Sequence, residues 1–343
     1  MFDRRDTQAV KGIAIIAMVI HHFYLSDPAA LIKINSLGDV IKVFGATGKV
    51  CVALLTILSG YGLMESYKKV KSYTSKSNLK FVISHLVQLY SMYWMVWLVV
   101  FCYKICTMKD FIIVYGTGFR GAFNIVMDFF GIAQLFGGNV LVGMWYVLAI
   151  ILMYITFPIL AYLVKKGGYI TLAVLYIPWL VVFVNSIFAW YEINVDQYTF
   201  CIFSFCLGIL LSQKELIGRY NNKLNSFLFV LVAVLFRWLI RLPFDAFLAL
   251  AIIGFEKSML SETKCIRNTL IVLGKHSANI WLLHLTVGGA INGFVNSNIV
   301  LQKIPFFIIV IVCSLCISVA IEELKKIIYY DKITKWVRTK VQA

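Results

Sequence analysis

The sequence predicts an all-α fold, a polytopic transmembrane helical bundle of about ten spans with both termini cytoplasmic. Three observations lead there. Of the 343 residues 61% are hydrophobic and only 14% are charged, with a mean hydropathy of +0.86, which is far too apolar for a soluble domain of this length. The apolar residues gather in runs near the ~20 residues that a helix needs to cross a bilayer. The cations, which give a net charge of +16, gather in the short segments between those runs, where they orient spans in the lipid bilayer rather than bind nucleic acid.

The apolar runs lie near residues 9–26, 45–65, 81–106, 142–164, 168–189, 197–213, 224–242, 244–260, 268–290 and 304–322. The eighth is the weakest, because the uncharged core that follows Asp245 is short. The N-terminal eight residues resemble a signal n-region, but no small-x-small cleavage site follows, and a histidine pair sits where cleavage would fall. The first run is therefore read as a retained span. With the N-terminus inside, the inner segments hold Arg4, Arg5, Lys11, the cations from Lys68 to Lys80, Lys165, Lys166, Lys214, Arg219, Lys223, Lys257, Lys264, Arg267 and the tail from Lys325 to Lys340. The outer segments hold fewer: Lys33, Lys42, Lys49, Lys104, Lys109, Arg120, Arg237, Arg241 and Lys303. That asymmetry favours an even number of spans.

Residues 107–141 form the longest stretch outside the spans, with six glycines around an apolar patch from Ala122 to Phe136, and are read as functional or re-entrant. The chain divides into a transmembrane domain, 1–322, and a basic amphipathic cytoplasmic tail, 323–343, whose alternating basic and apolar residues suit an anionic inner leaflet. The eight cysteines lie mostly within apolar runs and have no spacing typical of a disulfide framework. Cys313 and Cys316 flank Ser-Leu in an apolar run without a nearby acid or histidine, which points to packing. No metal site is expected.

The stretch Lys11 to His22 carries the first chemical signal. Eleven steps of ~1.5 Å separate the two residues by ~16 Å along a helix, and eleven steps of ~100° bring them to nearly the same face. An ionisable residue within a span costs several kcal/mol on insertion scales, which makes it a functional-site hypothesis by default. The competing reading is a positive-inside anchor at Lys11 and interfacial histidines at the other end.

Four patterns then share an order with one family. Lys11-x10-His22 resembles an Arg/Lys-x10-His element. Gly48-Lys-Val-Cys-Val-Ala-Leu-Leu-Thr-Ile-Leu-Ser59-Gly60-Tyr61 is similar to a Gly-x-x-x-Phe-Phe-x-Leu-Ser-Gly-Tyr pattern. Met144-Trp145-Tyr146 through Tyr154 to Pro158 looks like a Trp-x-Leu…Tyr…Pro span. Leu273-Gly-Lys-His-Ser277-Ala-Asn-Ile-Trp-Leu-Leu-His284 is similar to Leu-Gly-x-x-Ser-x-x-Ile-Tyr-Leu-x-His. Together they resemble the acyltransferase-3 family of integral-membrane acyltransferases, O-acetyltransferase type. The resemblance implies transfer of an acyl group, usually acetyl, from cytoplasmic acetyl-CoA or another acyl-CoA to a hydroxyl on an extracytoplasmic glycan or related cell-envelope acceptor. A bacterial cytoplasmic membrane is the expected location.

Two departures stand out. His85 and Gln88 occupy the positions of the family's Arg-x-x-Arg, the expected contacts for the donor's phosphates, and Ile150 stands where many members carry a glutamate. The expected roles are His22 as catalytic general base, suited by an unperturbed pKa of ~6.5, and Lys11, His85 and Gln88 as the acyl-donor contacts near the inner surface. Ser59, Tyr61, Trp145, Ser277 and His284 are expected to line the passage or the acceptor side, with His284 at a depth similar to His22. Ser59-Gly60 is equally a small-residue helix contact, Trp145 and Trp281 equally interfacial belt aromatics, and the competing reading of His284 is a buried hydrogen-bonding residue. The alternative class is a membrane transporter, a flippase or a non-catalytic membrane protein that uses the same intramembrane lysine and histidines, although neither inverted repeats nor matched broken helices are evident.

Overall fold

A computed structural model describes residues 2–24, 45–70, 72–137, 145–188, 197–219, 222–240, 244–292 and 303–342. Several residues invoked for orientation or motif, namely Lys33, Lys42, Lys71, Arg241 and Met144, lie outside the described residues.

Among the described residues the regular structure is helical throughout. In chain order the helices are α1 (Arg4–Tyr24), α2 (Val50–Tyr67), α3 (Ser75–Cys106), α4 (Met108–Tyr115), α5 (Gly118–Phe129), α6 (Trp145–Gly167), α7 (Tyr169–Phe188), α8 (Gln197–Gln213), α9 (Lys223–Ile240), α10 (Asp245–Ser258), α11 (Lys264–Lys275), α12 (Ser277–Asn292), α13 (Lys303–Ile327) and α14 (Tyr330–Gln342). Each of the ten apolar runs coincides with one of these helices, the ninth with the consecutive pair α11 and α12.

Length and hydropathy single out fewer. Among the described residues four helical stretches are long and apolar enough to cross a membrane, Gly45–Tyr67, Ser75–Cys106, Trp145–Gly167 and Pro305–Ile327, with a fifth if the bent pair α11 and α12 is one broken span. The ten-span expectation exceeds this number for physical reasons. At 17 and 14 residues, α8 and α10 reach roughly 25 and 21 Å, short of a ~30 Å hydrocarbon core. In α1, Arg4, Arg5, Asp6 and Lys11 dilute one end and His21 and His22 the other.

The chain forms two compact units. The first comprises Met1–Lys71, Thr156–Ser277 and Ile299–Phe307, the second Ser72–Ile155, Ala278–Asn298 and Ile308–Ala343. In the first unit the helices approach through glycine. A methyl placed on Gly12 of α1 would lie 2.1 Å from the Leu270 carbonyl oxygen of α11, and one on Gly274 would lie 1.8 Å from that of Gln8. Ala9, Leu270 and Ile271, flanked by Ile13 and Ile16, fill the seam between them. The same device joins α2 to α8, where Gly60 faces the Phe205 carbonyl and Gly208 faces that of Ile57, each at 2.1 Å from such a methyl.

In the second unit the described part of the 107–141 stretch, residues 107–137, folds as α4, α5 and a short 3-10 turn, Ala133–Phe136. It is hung from α3 by polar-tipped aromatics at helical spacing. Tyr90 Oη donates to the Phe130 carbonyl and Trp94 Nε1 to that of Phe129, both at 2.9 Å, and Tyr93 Oη donates to the Asp128 carbonyl at 2.6 Å. Asn279 of α12 donates to Ser318 Oγ (3.0 Å) and Glu322 Oε1 (2.8 Å) of α13. The tail helix α14 packs on the start of α3.

Candidate functional site

In the first unit, α1 has two chemically distinct ends. At its start, Asp3 and Asp6 exchange side-chain to backbone bonds of 2.9 and 2.8 Å, which satisfy orphan N–H groups of the first turn. Burial raises the Asp3 carboxyl, but these backbone donors and the charges of Lys257 and Arg267 outweigh it and hold the group below the usual carboxylate range. The Asp6 carboxylate is 1% exposed and pairs with Lys257 (2.7 Å) and Arg267, which also reaches Glu256 at 3.2 Å. Acids and bases from α1, α10 and α11 are thus matched. Lys11, little more than one turn further along and half-buried, finds neither a carboxylate nor a hydrogen-bond acceptor among the described residues.

At the other end of α1, the ring of His21 is half-buried and its Nδ1 lies 3.0 Å from the Gly45 carbonyl. His22 is exposed, with its ring edge-on to His21 at 5.3 Å. Gly48 presses on the Ala17 carbonyl, where a methyl would come within 2.3 Å. Lys49 acts electrostatically on both histidines, and Arg237 on His21. Arg237 of α9 pairs with the fully buried Asp245 of α10 and donates to the Ala46 carbonyl at 3.3 Å. A buried ion pair, a lysine and two histidines therefore surround the start of α2.

The Ser59-Gly60-Tyr61 motif is resolved into separate roles. Ser59 Oγ donates to the Leu55 carbonyl of its own helix at 2.8 Å. Gly60 makes the α8 contact already described. Tyr61 is half-buried with its ring edge against Phe2 at 5.5 Å, so it stands at the starting end of α1, away from His22. Ser277, the first residue of α12, is buried.

The remaining expected site residues belong to the second unit. His85 of α3 is half-buried, with Nδ1 2.8 Å from the Phe81 carbonyl and its ring 4.1 Å from that of Phe81. Gln88 is exposed. Trp145 is half-buried and packs edge-on to Tyr146, which in turn packs edge-on to Trp281 at 5.2 Å, so the third and fourth motifs meet through aromatic rings. Ile150 is buried. His284 is fully buried, with Nδ1 2.7 Å from the Trp281 carbonyl one turn back. The two histidines expected at similar depth, His22 and His284, belong to different units, as do Lys11 and the pair His85 and Gln88.

Sequence reasoning missed one constellation outright. Asp128 of α5 is fully buried and accepts from Trp97 Nε1 at 2.9 Å and from Tyr115 Oη at 2.5 Å, with Tyr93 Oη at 3.5 Å. Burial and the Asp128 charge push the Tyr115 phenol well up, so it remains a donor. The only signal for this cage is the Tyr90, Tyr93, Trp94, Trp97 spacing, which places four polar-tipped rings on one face of α3.

The family model described as an acyltransferase domain, acyltransferase-3, matches residues 6–323. No curated protein and no solved structure matches the chain. The match covers nearly the whole chain and all four motif regions. The chain belongs to the acyltransferase-3 family and is an integral-membrane transferase of acyl groups.

Proposed function

We propose that the protein moves an acyl group, acetyl in the simplest case, from cytoplasmic acyl-CoA to a hydroxyl of an extracytoplasmic glycan or other cell-surface acceptor, in a bacterial cytoplasmic membrane crossed about ten times. The observation that carries this reading is the charge state of α1. Its acid, Asp6, is matched by Lys257 and Arg267, whereas Lys11 is half-buried without a counter-charge among the described residues. A cation in such a setting is favoured by an anionic ligand, and the phosphates of CoA supply one.

His22, ~16 Å along the same helix, takes the acceptor's hydroxyl proton on a neutral imidazole. The acceptor oxygen bonds to the thioester carbonyl carbon, the carbon–sulfur bond breaks, and the departing thiolate receives the proton. Ser59, Tyr61, Trp145, Ser277 and His284 stand as passage or acceptor-side groups in this reading, with His85 and Gln88 on the donor side.

The test is transfer or hydrolysis of labelled acetyl-CoA by the purified protein in lipid, for wild type, His22→Ala and Lys11→Ala. Loss of turnover in His22→Ala with donor binding retained, and loss of donor binding in Lys11→Ala, are the expected results. Retained turnover in His22→Ala would sink the assignment of the base, and wild type that neither binds nor turns over acyl-CoA would favour the transporter class.

A further inference from the structure

The positions where the resemblance leads one to expect donor-binding arginines hold His85 and Gln88, but the second unit brings a guanidinium to the same turn of α3 from elsewhere in the chain. Arg338 of α14 donates from Nε to Ser84 Oγ at 3.3 Å, and Gln342 Nε2 donates to the same oxygen at 3.1 Å. Ser84 is fully buried and immediately precedes His85. Arg338 acts electrostatically on His85, and Lys80, one turn before Ser84 on α3, reaches the Gln342 carbonyl at 3.4 Å.

Arg338 is half-buried, and the one hydrogen-bond partner of its guanidinium among the described residues is this neutral hydroxyl. With Nε engaged, the two terminal nitrogens keep the planar fork that suits a phosphate. A purely lipid-facing tail cation has no need of such an anchor. The exposed Lys332, six residues earlier, lies over the Tyr329 ring instead. Arg338 also lies beyond residues 6–323, the part that matches the family model.

We propose that Arg338, held by Ser84 and backed by His85 and Lys80, is a phosphate-binding residue for the nucleotide end of the acyl-CoA donor, supplied by the tail helix where α3 carries His85 and Gln88 in place of arginines. This rests on the acyl-CoA reading above. A phosphate monoester or diester fits the fork equally well from a nucleotide or from an anionic lipid headgroup, so the experiment separates the two.

Binding of CoA and of S-acetylpantetheine, which lacks the nucleotide phosphates, is measured with the full chain in phosphatidylcholine nanodiscs and again with phosphatidylglycerol added. Arg338→Gln should weaken CoA binding about tenfold and leave S-acetylpantetheine unchanged in both lipids, Arg338→Lys should recover part of the loss, and Lys332→Gln should match wild type. An equal loss for both ligands marks a structural role and overturns the proposal. So does unchanged CoA binding in Arg338→Gln, or an effect that phosphatidylglycerol abolishes, which would make the lipid headgroup the occupant. Wild type that binds no CoA in either lipid overturns the acyl-CoA reading and this inference with it, whereas wild-type binding that Arg338→Gln preserves overturns the inference alone.

Discussion

Replacing Gly60 by Ala separates packing from chemistry in the Ser59-Gly60-Tyr61 motif. The added methyl would sit 2.1 Å from the Phe205 carbonyl oxygen and 3.0 Å from its carbon. Backbone, unlike a flexible side chain, cannot rotate away, so α2 and α8 must separate by roughly 1 Å at this point to restore contact distance. The reciprocal contact of Gly208 with the Ile57 carbonyl lies one turn away on the same seam and would be opened too. Overpacking of this kind costs about 1–3 kcal/mol. Ser59→Ala, in contrast, removes only a bond to the Leu55 carbonyl within its own helix and should cost under about 1 kcal/mol. The assay is thermal unfolding in detergent with acyl transfer measured on the same preparations. Gly60→Ala should lower the midpoint by several degrees, while Ser59→Ala keeps both the midpoint and most of the turnover. A Gly60→Ala protein as stable as wild type would refute the close-contact argument, and loss of turnover in a fully stable Ser59→Ala protein would return a chemical role to the serine.

Tyr115→Phe removes a hydrogen bond to the buried Asp128 carboxylate, a loss of about 1.5–3 kcal/mol for a charged acceptor, and should speed amide hydrogen exchange in residues 108–137 without changing it elsewhere in the second unit. Because the Tyr115 phenol is pushed up in the fold, its contribution is present below the ordinary tyrosine value of ~10 and is lost only as pH rises further; absorbance titration of Tyr115→Phe should show one late-titrating phenol fewer than wild type. At the buried Arg237–Asp245 pair, Arg237→Met or Asp245→Leu alone should destabilise more than the two together, since each single change strands a buried charge. A double-mutant cycle with additive losses would show that the pair is not coupled.

The helices were legible because burial in protein and burial in lipid leave the same mark, an apolar run of 15 residues or more. That equivalence is also why the number of spans was not legible. The apolar composition of α8 and α10 satisfies either environment, and only their length distinguishes them. The ends of α1 were readable for a local reason: Lys11 and His22 sit on one helix, whose period relates them without any tertiary information. The pairings that surround them are remote in sequence. Asp6 meets Arg267 across 261 residues and Arg338 meets Ser84 across 254, and no periodicity predicts which of many cations closes such a loop. The Asp128 cage lies between, since the aromatic spacing on α3 marks a face but not the carboxylate that faces it.

Charge accounting gives the surplus cations of this chain two different meanings. With 32 lysines and arginines against 16 acids, many cations have no partner, and most sit in exposed connections where water solvates them and the bilayer's orientation rule explains them. Lys11 and Arg338 are among the exceptions, because each is half-buried and each lacks a carboxylate partner among the described residues. Withdrawing a cation from water without a counter-charge is unfavourable, and orientation in the membrane does not require it, since an exposed lysine serves equally well. What the two positions share is that an arriving anion would offset the cost of burying them. The acids within reach of α1 are already matched to Lys257 and Arg267, so no carboxylate among the described residues balances Lys11. In the proposed reading a phosphorylated donor supplies that anion.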